Sequence, residues 1–295
     1  MILNLDGNGI RTFGLAAGIH FDQDANGFQE STGWVTPGNG VLMLDIDGNK
    51  RLRTGNELFG DFTVLPNGMR AANGFQALAQ YDLNRDGKID SSDPIWGQLK
   101  IWQYSELDLE AYDPDESGRI NTLAELGITA IYLDSTITNS TNDAGNLEIR
   151  SGHFEWADGR TGTIGEYRLQ RNTADTIPTD FREVPSEIEA LPDLQGLGNV
   201  YNLHQAMLRD PSGQLRSLVE AFISATNPAT RSSILEQIIS KWTGADSVAP
   251  NSRGGFMDGR RIVALEHLYG ESRANPDATL AIAWNETYRQ VFEIF

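Results

Sequence analysis

Residues 81–94 read "YDLNRDGKIDSSDP", and the fold turns on whether this stretch is a plain turn or a loop that wraps a cation. Counting from Asp82 as position 1, Asn84 falls at position 3 and Asp86 at position 5. Gly87 takes position 6, where a positive φ lets the backbone turn sharply. Lys88 offers its backbone carbonyl at position 7 and Ile89 an apolar side chain at position 8. Asp90 and Asp93 supply carboxylates at positions 9 and 12. Oxygen donors at this spacing make an EF-hand calcium loop. The usual Glu at position 12 is replaced by Asp, one methylene shorter, which predicts weaker calcium binding and poorer discrimination against magnesium. The flanks "GFQALAQY" and "DPIWGQLKIWQ" are expected to be the entering and exiting helices. Pro94 would then open the second, where its missing N–H costs nothing. Ile89 is expected to pair with a partner loop.

Weaker copies lie nearby. Asp22, Asp24, Asn26 and the Phe28 carbonyl are in register, with Gly33 at position 12. Asp45, Asp47, Asn49 and the Arg51 carbonyl form a second set, with Lys50 where glycine is expected and Glu57 one residue late. Asp113, Asp115, Ser117 and the Arg119 carbonyl form a third, and "LDGNG" at 5–9 is shorter still. Each alone can be a turn, because Asp, Asn and Gly favour turns without any metal. Their clustering within the first 125 residues argues that some hold Ca2+.

The rest of the composition fits. The chain has 295 residues, enough for two domains, and Asp plus Glu exceed Lys plus Arg by 41 to 23, a net charge of −18. That balance disfavours nucleic acid and anionic membrane surfaces, which need basic footprints. No apolar run reaches the length of a membrane span, and "MILNLDGNGI" lacks the pattern of a signal peptide. With no cysteine there can be no disulfide or thiolate zinc site, so metal is the candidate staple. His20, His153, His204 and His267 form no metal-binding pair. No phosphate loop, Gly-x-Ser-x-Gly or kinase signature is present, and no catalytic residue is assigned.

Residues 128–171 alternate as strands, in "ITAIYL", "NLEIRSGHFEW" and "GTIGEYRLQ", separated by turn residues. Residues 173–189 carry prolines and no sustained period and read as a linker. From about 190 the apolar spacing becomes helical, as in Leu215, Leu218, Val219 and Phe222, or Ile234, Ile238 and Trp242. Asp210-Pro211, Asn227-Pro228 and Asn275-Pro276 are expected caps followed by proline. The fold class expected is α+β: an EF-hand-like calcium module with β-hairpins over 1–172, the linker, and a separate all-α domain over 190–295. The chain is expected to be part of a longer one.

The stretches "LNLDGNGI", "FDQDANGFQESTGW", "GNGVLMLDIDGN", "NELFGD", "GFQALAQYDLNRDGKIDSSDPIWGQLKIW" and "TLAELGI" occur in this order at close spacing. Together they resemble the self-processing module of Frp-type, iron-regulated RTX proteins, which Gram-negative bacteria export by type I secretion. The resemblance covers residues 2–171, and Asp82 and Asp93 match the ends of the family's main loop. "LPDLQGLGNVYNLHQAM" and "GADSVAPNSRGG" look like a segment that often follows such modules. The resemblance implies a secreted or cell-surface protein whose module folds on meeting calcium. It also implies cleavage of an Asp-Pro bond just ahead of the module. The Asp side chain attacks its own carbonyl, and a lysine on a partner protein can capture the anhydride as an isopeptide. Family modules begin with proline about where Met1 stands, so the scissile bond looks absent, and Asp-Pro at 93, 113 and 210 are bystanders. Tyr104 stands where the family's second loop usually begins with Asp. A non-catalytic segment rigidified by calcium is the alternative reading. A cytosolic sensor fits poorly, since sensors expose methionine-rich grooves and only five methionines are present.

Overall fold

The computed structural model describes residues 1–104 and 118–293. It divides into two compact units, Met1–Asn172 and Thr173–Phe295. The secondary structure is α+β.

The first unit opens with β1 (Ile2–Asn4), β2 (Thr12–Phe13), β3 (His20–Phe21), β4 (Phe28–Thr32), β5 (Trp34–Val35) and β6 (Asn39–Leu44). The helix α1 (Gly74–Ala79) follows. Then come β7 (Lys88–Asp90), β8 (Leu99–Tyr104), β9 (Gly118–Thr122), β10 (Ile128–Tyr132), β11 (Thr136–Thr141), β12 (Leu147–Trp156) and β13 (Thr161–Arg168). Among the described residues, nine of these strands form one sheet in the order β7-β10-β12-β13-β1-β6-β8-β9, with β11 on β12. Its pairs are antiparallel, and β1 lies in the middle, with Ile2 opposite Gly165 on one side and Val41 on the other.

Both faces of the central strands are buried. Met1, Leu3, Leu42, Leu99 and Ile101 join one apolar cluster, while Ile2, Val41, Met43 and Trp102 join the other. Successive side chains point to opposite faces, so a strand buried twice reads as an unbroken apolar run. That is why "GVLML" and "LKIW" show no alternation, and why the strands of the first 125 residues are hidden from a period-two search.

The expected helix before the loop at 82 is α1. The Asn73 side chain accepts a hydrogen bond from Gln76 N–H (2.8 Å) at its start. The expected exiting helix does not form. Residues 91–98 are turns, and the chain enters β8 at Leu99. Gly97 weakens a helix there, and Leu99, Ile101 and Trp102 gain full burial as a strand. Ile89 pairs with Ile131 of β10 rather than with another loop.

Part of the segment expected as a linker is regular. It holds most of β14 (Arg171–Pro178) and the short helix α2 (Ser186–Glu189). Its prolines stand at element ends, Pro178 closing the strand and Pro185 capping the helix. The second unit continues with α3 (Leu203–Arg209), α4 (Gln214–Ser224), α5 (Pro228–Trp242), α6 (Gly259–Tyr269) and α7 (Ala278–Glu293). Asn227 caps α5 as expected, accepting from Ala229 and Thr230 N–H with Pro228 behind it. The other two caps shift. Asp210 accepts from Leu215 N–H (2.8 Å), but α4 begins at Gln214. Asp277, not Asn275, accepts from Thr279 and Leu280 N–H at the start of α7.

Candidate metal centre

The loops that the sequence aligned share one backbone. Arg85 and Gly87 have φ of 61° and 85°, Ala25 and Gly27 have 59° and 90°, and Gly48 and Lys50 have 73° and 58°. Positions 4 and 6 are therefore left-handed in all three, a conformation that costs a non-glycine residue energy. Lys50 adopts it at the position where the template has glycine. Gly7 and Gly9 (79° and 87°) repeat it in "LDGNG", where Asp6 instead pairs with Arg11 at 2.5 Å.

In the loop at 82, Asp82 accepts from Gly87 N–H (3.0 Å) and Asp86 accepts from Lys88 N–H (3.2 Å). Asn84 accepts from Asp86 N–H (3.0 Å). Asp93, 3% exposed, accepts from Leu83 N–H (3.3 Å) and Asp90 N–H (3.1 Å). Asp90 is turned toward Lys88 Nζ (2.6 Å), and that ammonium holds its carboxyl below the ordinary range.

The loop at 22 repeats these bonds with one change. Asp22 accepts from Asn26 and Gly27 N–H, and Asn26 accepts from Phe28 N–H. The residue after position 1 again donates to a closing carboxylate, but Gln23 N–H reaches Glu30 (3.1 Å), at position 9, instead of position 12. Asp22 and Glu30 are each 2% exposed. Burial pushes both carboxyls up, and the charge of Asp24 adds to it. Sequence reasoning missed Glu30 because it looked for the closing carboxylate at position 12. Asp24 is the third carboxylate of this loop, but the three do not bring an oxygen each within 4.8 Å of one another, nor do the carboxylates of the loop at 82.

The set at 45 is the tightest. Single carboxylate oxygens of Asp45, Asp47 and Glu57 lie within 4.8 Å of one another. Glu57 is 6% exposed and reaches back from a one-turn helix, where its Oε2 accepts from Arg53 N–H (2.8 Å). Its Oε1 and Asp45 Oδ1 are buried with no hydrogen-bond partner. Burial, then the charges of Asp47 and Asp45, push the Glu57 carboxyl up. Calcium takes oxygen ligands at about 2.3–2.6 Å, so oxygens at this spacing can share one ion at their centre. Asn49 accepts from Arg51 N–H (2.6 Å) and holds the turn. This loop is fastened to the previous one, since Gly55 N–H donates to Asp22 C=O (2.8 Å). A Cβ at Gly55 would lie 1.9 Å from the Gln23 carbonyl oxygen, so only glycine fits.

Asp113, Asp115 and Ser117 lie outside the described residues, and Arg119 is on β9. No helix among the described residues is long and apolar enough to cross a membrane.

Residues 1–170 match the model of the SPM domain. The chain belongs to the SPM domain family. It is also similar to the iron-regulated protein FrpA of Neisseria meningitidis serogroup C, at 32% identity over 249 residues. That alignment takes in 84% of this chain and 22% of FrpA, so the chain spans about a fifth of its relative. The loops with paired left-handed residues, and the unsatisfied Asp45–Glu57 pair, all fall within the SPM domain.

Proposed function

We propose that residues 1–172 are a calcium-dependent folding module of a secreted, RTX-type protein of a Gram-negative bacterium. When an Asp-Pro bond lies just ahead of the module, it breaks that bond. The observation that carries the calcium reading is the pair of buried, partnerless oxygens on Asp45 and Glu57 beside Asp47. A buried carboxylate oxygen without a partner costs several kcal/mol unless a cation compensates it. The ligand sets are Asp45, Asp47, Asn49, the Arg51 carbonyl and Glu57; Asp22, Asp24, Asn26, the Phe28 carbonyl and Glu30; and Asp82, Asn84, Asp86, the Lys88 carbonyl, Asp90 and Asp93. Asp113, Asp115, Ser117 and the Arg119 carbonyl form a fourth set.

A site that binds calcium at about 10 μM adds about 2.7 kcal/mol at millimolar calcium and almost nothing at cytosolic levels. Two or three such sites are comparable to a whole domain's stability of about 5–15 kcal/mol. The module is therefore unfolded inside the cell and folded outside it. The anhydride left by cleavage is open to a lysine of a partner protein. Residues 190–295 are an all-α domain that folds without calcium, with 173–189 joining the two.

Circular dichroism melts in chelator and in millimolar calcium test the reading. One transition that appears only with calcium, beside one that ignores it, is expected. Identical melts would overturn it and leave a segment that needs no ion.

A further inference from the structure

The amino end of β1 opens into a cavity of about 230 Å3 lined by Met1, Gln23, Trp34, Glu166, Tyr167 and Arg168, among others. The sheet register puts Ile2 opposite Gly165 and Leu3 opposite Ile164. Residue 1 therefore faces Glu166, and a residue joined ahead of it runs alongside Tyr167. Met1, Leu3 and Ile164 share one apolar cluster, which puts Glu166 on the same face as Met1. A preceding residue would turn its side chain to the other face, that of Ile2, Trp34 and Tyr167.

Two groups at this place are buried and half-used. Glu166, 5% exposed, accepts from Gly74 N–H through Oε1 (2.8 Å), while its Oε2 has no partner. Trp34 Nε1 is also buried and without a partner. With a free amine at residue 1, as after cleavage, burial pushes that amine down and the charge of Glu166 pulls it back up.

We infer that Glu166 is the general acid that gives its proton to the nitrogen of residue 1 when the bond ahead of it breaks, and that Trp34 Nε1 positions the attacking Asp carboxylate. This rests on the self-cleavage reading above. The Asp carboxylate oxygen forms a bond to its own carbonyl carbon and the C–N bond to residue 1 breaks. The electron pair goes to the nitrogen, and the Glu166 proton follows it. The products are a cyclic anhydride and an amino terminus beside the Glu166 carboxylate. Water or a lysine amine then opens the anhydride. The step leaves a neutral amine beside the Glu166 carboxylate, and a proton from water then turns that amine into the carboxylate's counter-ion.

The test uses the full chain with Met1→Pro and an Asp joined ahead of it, followed in millimolar calcium by gel and mass spectrometry. Cleavage that Glu166→Gln slows by about 100-fold or more, with an unchanged calcium-dependent dichroism signal, is the expected result. The Gln carbonyl still accepts from Gly74 N–H. Equal rates in parent and Glu166→Gln overturn the inference and leave self-cleavage standing. A parent that folds with calcium yet stays intact overturns both. A solvent deuterium isotope effect on the parent gives a reading independent of the variant's folding. A normal effect supports proton transfer in the breaking step, and its absence overturns it.

Discussion

Replacing Glu57 by Gln should stabilise the first unit without calcium and forfeit that gain when calcium is present. Glu57 is buried, and one of its oxygens lies within 4.8 Å of oxygens on both Asp45 and Asp47. Two like charges at that distance repel by about 3.5 kcal/mol at an effective dielectric of about 20. Asp47 is exposed and Asp45 half-buried, so screening leaves roughly 1 kcal/mol for each pair. Gln keeps the shape, and its carbonyl can still accept from Arg53 N–H. In chelator the variant should thus gain about 2 kcal/mol, seen as a larger folded fraction of a unit that is otherwise unfolded there. In millimolar calcium the variant lacks one charged ligand. A ten- to hundredfold weaker site loses about 1.4–2.8 kcal/mol of binding energy, which cancels most or all of the gain made without the ion. Tryptophan fluorescence of the folded fraction in chelator, and urea unfolding in millimolar calcium, read the two conditions. Loss of stability by the same amount in both buffers would refute the reasoning, because it would make Glu57 a structural carboxylate and nothing more.

Glu30→Gln should remove one ion from the stoichiometry of a calorimetric calcium titration or weaken that site at least tenfold; an unchanged titration would remove Glu30 from the ligand set. Gly118→Ala should destabilise the first unit by about 1–3 kcal/mol or more, because the new Cβ would lie 1.6 Å from Trp102 Nε1; a melt within experimental error of the parent's would contradict this. In the second unit Arg253 makes two 2.8 Å bonds to Glu266, and Arg253→Ala should cost about 2–3 kcal/mol by leaving that carboxylate unpaired. Burial works against the Glu266 charge, yet the hydrogen bonds from Arg253 and Arg273 N–H hold its pKa below the ordinary value. The stability from this depressed acid is present above the ordinary glutamate pKa and is lost as pH falls through the folded value. Acid melts of the calcium-independent transition should show this loss in the parent and not in Arg253→Ala.

The sequence made some of this legible and hid the rest for identifiable reasons. The hairpins of β12 and β13 are half-exposed, so their alternation and turns could be read directly. The strands β1, β6 and β8 are apolar on both faces, and a run such as "GVLML" carries no period to find. The loop at 82 follows its template through position 12. The loop at 22 does not, because β4 starts at Phe28 and the extended chain returns Glu30 to the place that Asp93 fills elsewhere. A search for a second carboxylate at position 9 would have found it. Lys50 departs from the pattern in residue type, but its backbone adopts the glycine conformation. The exiting helix follows from the template alone, and Gly97 followed by an apolar run was the signal against it.

The central place of β1 sets a clock. Its two neighbours are β6, which ends at residue 44, and β13, which spans residues 161–168. One flank of the first strand therefore stays bare until nearly the whole unit is available, and pairing so distant in sequence is slow to form. A growing chain cannot complete the sheet before residue 168 has been made. Whatever chemistry happens at the amino end of β1 is then timed by the arrival of the last strand, so that the first residues of the unit are the last to be locked in place.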